Sequence, residues 1–271
     1  MRVATALVVA PALLWLLFAG PPWAFLGMLA AVVMIASMEL MAMALPGDRT
    51  LQVWGGLLAL GYYSVVVWGA SVTAMNGLLV SALSIGIVAT LLVGLARSQI
   101  VLRSSAGLGW LVAGPVYVGM TVAALGRLYR MPDGPQWVLL SLLLAWLGDT
   151  AAYFVGRSIG KTPLYPAVSP TKTREGALGG LAGSVLGAAI AYTLKLPALS
   201  LFEVVGLGLV VGGLGQTGDL CESLIKRSFG VKDSGSIVPG HGGILDRIDA
   251  VLFTAVALWG YLEWVRPLVR F

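Results

Sequence analysis

Nine continuous apolar runs, each close to the length that crosses a lipid bilayer, constrain this chain more than any other feature of its sequence. A bilayer core takes about 20 apolar residues as helix, with shorter or tilted spans tolerated. On that measure the spans fall near residues 4–20, 23–45, 53–72, 76–96, 105–126, 136–156, 176–195, 198–218 and 248–266. The runs lack the two-residue alternation of a membrane barrel, and hydrocarbon offers no water to satisfy an open sheet edge, so helices are expected. Composition agrees: hydrophobic residues make up 58% of the chain and charged residues only 11%, against about a quarter charged in a soluble domain. The start, Met1-Arg2 followed by an apolar run to Gly20, reads as a first span and not a secretory signal, because further apolar runs follow at once. The expected fold is an all-α integral membrane protein of about nine transmembrane helices with two polar cytoplasmic insertions. It forms a single polytopic domain over 1–271, in which 1–135 is mainly scaffold and 136–271 carries the chemistry.

Charge sets the orientation. The chain holds 17 Lys and Arg against 12 Asp and Glu, a formal net charge of +5. The positives sit mostly in loops between apolar runs, which favours membrane orientation, anionic lipid and phosphate-bearing substrates over nucleic acid. With nine spans, twelve basic residues share the side of the amino terminus, and Arg127, Arg130, Lys195, Arg266 and Arg270 lie on the other. The excess puts the amino terminus and the large loops in the cytoplasm and the carboxy terminus outside. The one cysteine, Cys221, excludes an internal disulfide.

Polar residues gather in two insertions, 157–175 and 219–247. Between them lie two helical runs in which Gly179, Gly183 and Gly187, then Gly208 and Gly212, recur every four residues. Small residues at that spacing allow close helix packing, which would hold the insertions side by side. Within the first-half spans, Glu39 is the main charged exception. No internal repeat of the kind that builds transporters is evident.

The densest segment is 218–249, GDLCESLIKRSFGVKDSGSIVPGHGGILDRID. If the preceding helix continues past its apolar run, Asp219, Glu222, Ser223 and Lys226 fall on one face. That stripe suits a magnesium–nucleotide site, and equally a solvated helix with an ordinary i,i+4 charge pair. The glycine-rich turns that follow, Gly242 and Gly243 among them, let backbone N–H groups approach phosphate oxygens, and Lys232 adds charge. His241, the only histidine, is read as a positioning residue. Asp246, Arg247 and Asp249 abut an apolar span. Charges placed there are costly unless paired, metal-bound or lining a wet cavity, which favours a functional reading. In the first insertion, Asp149 lies inside the sixth span, open to a functional role or to pairing with a basic side chain. Arg157, Lys161, Lys172 and Arg174, with Ser169, Thr171 and Thr173, make a donor-rich loop suited to a triphosphate or to a lipid phosphate.

These segments resemble the phosphatidate cytidylyltransferase (CDP-diacylglycerol synthase) family. The likeness rests on Ser223-Leu224-Ile225-Lys226-Arg227, Lys232-Asp233, Pro239-Gly240-His241-Gly242-Gly243-Ile244 and Asp246-Arg247-Ile248-Asp249, with every fixed position of the family pattern filled. The stretch from Asp149 through Ser169-Pro170, Lys172-Thr173 and Glu175-Gly176 is similar to the family's other polar loop. The resemblance implies a transferase of phospholipid biosynthesis, joining CTP and phosphatidate into CDP-diacylglycerol and pyrophosphate in a bacterial inner membrane. It implies Mg²⁺ dependence, with Asp219 and Asp246 as carboxylate ligands, Lys226, Arg227, Lys232 and Arg247 on phosphate oxygens, and Asp249 in the catalytic set. Asp149, Arg157, Lys161, Ser169, Lys172, Thr173, Glu222, Ser223, Asp233, His241, Gly242 and Gly243 are then expected around the substrates. A second cation and a homodimer are both compatible with it.

Two rivals share parts of this pattern. A related CTP-dependent transferase with another lipid acceptor would keep the 218–249 segment and change only the acceptor pocket. A transporter would place its polar residues near mid-membrane in broken helices, whereas here they gather at one face.

Overall fold

Apolar sequence in hydrocarbon must satisfy its own backbone hydrogen bonds, and this chain does so almost wholly as helix. A computed structural model describes residues 2–69, 72–101, 106–195, 199–237 and 242–269; Arg103, Pro239, Gly240, His241 and Arg270 fall outside them. The order is α1 (Arg2–Phe18), α2 (Pro22–Ala44), α3 (Arg49–Trp68), α4 (Val72–Ala96), the short α5 (Ser98–Val101), α6 (Gly107–Arg130) and α7 (Gly134–Ile159). Next come a hairpin of β1 (Pro163–Tyr165) and β2 (Ser169–Thr173), then α8 (Arg174–Thr193), α9 (Leu201–Ser228) and α10 (Leu245–Gly260). A π-helical turn (Tyr261–Val265) and the short α11 (Arg266–Val269) end the series.

Eight helical segments among the described residues are long and apolar enough to cross a membrane. They correspond to the second through ninth expected spans. The first expected span is helical too, but α1 has only 17 residues with Pro11 inside it. Proline removes a helix hydrogen bond and is best placed at a helix start, where Pro22 opens α2.

The chain divides into two compact units, one of Met1–Arg127 with Asp233–Arg247 and the other of Leu128–Lys232 with Ile248–Phe271. In the first unit, α2 packs on α3 through fully buried Leu40, Met41, Leu51, Ala59 and Tyr63. The Tyr63 hydroxyl donates to the Leu26 carbonyl at 2.9 Å, and Ser37 Oγ to the Gly55 carbonyl at 3.2 Å. Asp48 caps α3, accepting the amides of Thr50 and Leu51, and an Arg97 nitrogen lies 3.3 Å from its other oxygen.

In the second unit, small residues let backbones approach, as their spacing predicts. A Cβ on Gly187 would lie 2.8 Å from the Leu143 carbonyl of α7, and one on Gly208 2.6 Å from Val185 Cα of α8. Buried hydroxyls are satisfied across the same contacts. Ser184 Oγ donates to the Leu144 carbonyl at 2.8 Å, and the Ser141 and Thr254 hydroxyls meet at 2.8 Å. Helix α9 starts at a capping box formed by Ser200 and Glu203 and runs 28 residues, through its apolar stretch and into the polar segment. The stripe from Asp219 to Lys226 is therefore helical.

Candidate active site

In the second unit, α9 carries Asp219, Glu222, Ser223 and Lys226 along successive turns, the spacing that puts them on one face. Glu222 is fully buried, with Lys226 Nζ 3.3 Å from its carboxylate. Asp249 of α10 faces Asp219, Glu222 and Lys226. The first polar insertion reaches the same place: Lys172, on β2, puts its ammonium 2.6 Å from Asp219 Oδ2. Three carboxylates and two ammonium groups from β2, α9 and α10 thus share one neighbourhood. The two lysines offset part of the negative charge gathered there.

Local hydrogen bonds explain why Lys172 is delivered there. Glu175, in the first turn of α8, accepts the amides of Lys161 at 3.1 Å and Thr162 at 3.2 Å, which closes the base of the hairpin. Thr173 caps α8 by accepting the Gly176 amide at 3.1 Å. Arg227 Nη1 donates to the Val231 carbonyl at 3.0 Å, and its Nε to that of Val168 at 3.4 Å. The bond to Val168 joins the hairpin to the end of α9, so the first insertion lies against the opening residues of the second. Arg157 donates to the Tyr153 hydroxyl at 2.8 Å on the exposed face of α7. Asp149 is exposed on the same helix, Lys161 and Lys232 are exposed, and Ser169 is half-buried at the start of β2.

In the first unit, the segment before α10 is folded around carboxylates. Asp246 Oδ2 accepts the amides of Ser234 and Gly243, each at 2.8 Å, and the Ser234 hydroxyl at 2.9 Å. Gly242 has a φ of +81°, a left-handed conformation that glycine adopts at no steric cost. Asp233 and Arg247 are exposed beside this turn. Glu39 of α2, 6% exposed, lies beneath it. Its carboxylate accepts the amides of Ile244 at 3.0 Å and Leu245 at 2.9 Å, and lies 3.2 Å from Ser234 Oγ. Reading the sequence for chemistry missed Glu39 as part of a site. The signal was present: an ionisable residue inside a span points to function by default.

Among the described residues, no three His, Cys, Asp or Glu side chains converge closely enough to enclose an ion by themselves. Mg²⁺ does not need them to, since it usually takes one or two carboxylates and fills its other positions with water and substrate phosphate. Hard carboxylate oxygens flanked by lysines fit that requirement.

Fold and site together define an integral-membrane protein whose carboxylate–lysine cluster is suited to phosphate chemistry. The chain belongs to the cytidylyltransferase family, whose pattern matches residues 1–265. A phosphatidate cytidylyltransferase from Brucella suis biovar 1 (strain 1330) is 36% identical over 207 residues, covering 76% of this chain and 71% of the relative. One from Staphylococcus aureus (strain COL) is 46% identical over 122 residues, covering 45% of this chain and 46% of the relative.

Proposed function

We propose that the chain transfers the cytidylyl group of CTP to phosphatidate, leaving CDP-diacylglycerol in the membrane and releasing pyrophosphate. The observation that carries this reading is the meeting of Lys172, Asp219, Glu222, Lys226 and Asp249 in one cluster, in a chain whose relatives are named for this reaction. A phosphate oxygen of phosphatidate attacks the α-phosphorus of CTP. The bond from that phosphorus to the α,β-bridging oxygen breaks, and its electron pair leaves with pyrophosphate. Phosphatidate is already an anion, so the site needs no strong general base. Its work is to place two phosphate groups against each other and to stabilise the charge that develops.

As the family resemblance implies, Asp219 and Asp246 would each offer a carboxylate to Mg²⁺, which when bound supplies neutralisation of the triphosphate and of the departing pyrophosphate. Lys226, Arg227, Lys232 and Arg247 hold phosphate oxygens, and Lys172 exchanges its contact with Asp219 for one with substrate phosphate. Asp249 and Glu222 direct Lys226. The catalytic loops face the cytoplasm of a bacterial plasma membrane, with the amino terminus inside and the carboxy terminus outside, as the basic residues favour.

The test supplies purified protein with CTP, Mg²⁺ and phosphatidate and follows pyrophosphate. Other nucleotides and a polyisoprenyl phosphate serve as comparison substrates. Release with CTP and phosphatidate is expected, and release only with another acceptor would overturn the assignment. Inverted membrane vesicles should use added CTP and right-side-out vesicles should not; the reverse would overturn the orientation.

A further inference from the structure

A carboxylate buried near the end of a membrane span is expensive unless its lone pairs are filled. Glu39 fills them with the backbone of a distant segment: Ile244 and Leu245 each donate an amide to it. The Ser234 hydroxyl gives its one hydrogen to Asp246 at 2.9 Å and lies 3.2 Å from Glu39, so this side chain sits between the two carboxylates. Room for the contact is made by glycine, because a Cβ on Gly235 would lie 2.6 Å from Glu39 Oε1, and one on Gly243 would run into the same carboxylate. The amides of Ile244 and Leu245 open α10, where a helix leaves N–H groups unpaired and where negative charge is favoured.

We propose that Glu39 is a positioning residue for the transfer reaction, fixing the turn and the first residues of α10 so that Asp246 is presented in one orientation. This rests on the reading of Asp246 as a metal ligand. Groups that orient a ligand typically change metal affinity or activity by about 10–100-fold when removed. In Glu39→Gln the amide nitrogen cannot accept, so one side of the carboxylate loses its donors while the volume stays the same.

Two measurements decide the matter. Hydrogen exchange in the metal-free protein should rise in the peptide covering 242–247 of Glu39→Gln. The Mg²⁺ concentration giving half-maximal pyrophosphate release should rise by about tenfold. A purely structural role would lower the amount of active protein without moving that midpoint. Unchanged exchange or an unchanged midpoint overturns the proposal. Should Glu39→Gln fail to fold, Ser234→Ala keeps both amide contacts and cuts the link to Asp246; it is expected to raise the midpoint, and an unmoved midpoint counts against the proposal. If the wild type transfers nothing, the functional reading falls, and the exchange measurement still decides whether Glu39 holds the turn.

Discussion

The second unit holds two lysine–carboxylate pairs that differ in what they do. Lys226 and Glu222 have side chains 12% and 0% exposed, whereas Lys172 and Asp219 are each 28% exposed. Breaking a buried pair strands a charge and costs about 3–5 kcal/mol; a solvent-screened pair contributes about 0–1 kcal/mol. Lys226→Met should therefore unfold at clearly lower temperature in detergent. Lys172→Met should unfold within about 1 kcal/mol of wild type and still lose pyrophosphate release. Thermal unfolding and the transfer assay, run on the same preparations, check both halves, and a fully active Lys172→Met would remove that residue from the site. Of the two pairs, only Glu222–Lys226 was legible beforehand, since i,i+4 spacing makes neighbours on any helix. Nothing local in the sequence joins Lys172 to Asp219, because that contact depends on how β2 is carried to α9.

The helices around the site pack through small residues, and this was readable from the four-residue glycine spacing. The geometry sharpens it to a prediction. At Gly187 the neighbour is the backbone of α7, with the Leu143 carbonyl 2.8 Å from where a Cβ would sit. Overpacking against side chains costs about 1–3 kcal/mol, and a backbone neighbour cannot relieve it by changing rotamer. Gly187→Leu should therefore give aggregated protein or a large fall in thermal stability on size-exclusion and unfolding traces, whereas a monodisperse, wild-type-like variant would contradict the packing. Helix α9 was legible only conditionally, because its apolar run stops before its polar stripe. The hairpin of β1 and β2 was not legible. Its residues read as a basic loop, and its order comes from Glu175 accepting two amides across the base and Thr173 capping the helix that follows.

For the whole molecule, the membrane class was plain because continuous apolar runs leave a bilayer chain little choice but helix. Eight of the expected spans reappear, seven with shifts of a few residues at their ends and the eighth running ten residues further as α9, and α1 remains a shorter helix interrupted by proline. The family motifs marked the polar segments, but not the partner beneath one of them. Glu39 meets Ser234, Ile244 and Leu245 across a separation of about 200 residues, and one sequence carries no record of such a pairing. The central claim is that cytidylyl transfer takes place at the cluster containing Asp219. Its most direct test is incorporation of label from α-phosphate-labelled CTP into lipid, in vesicles holding phosphatidate and either wild type or Asp219→Asn. Labelled lipid with wild type and none with an equally stable Asp219→Asn is the expected result. Equal labelling by the two proteins would contradict the account.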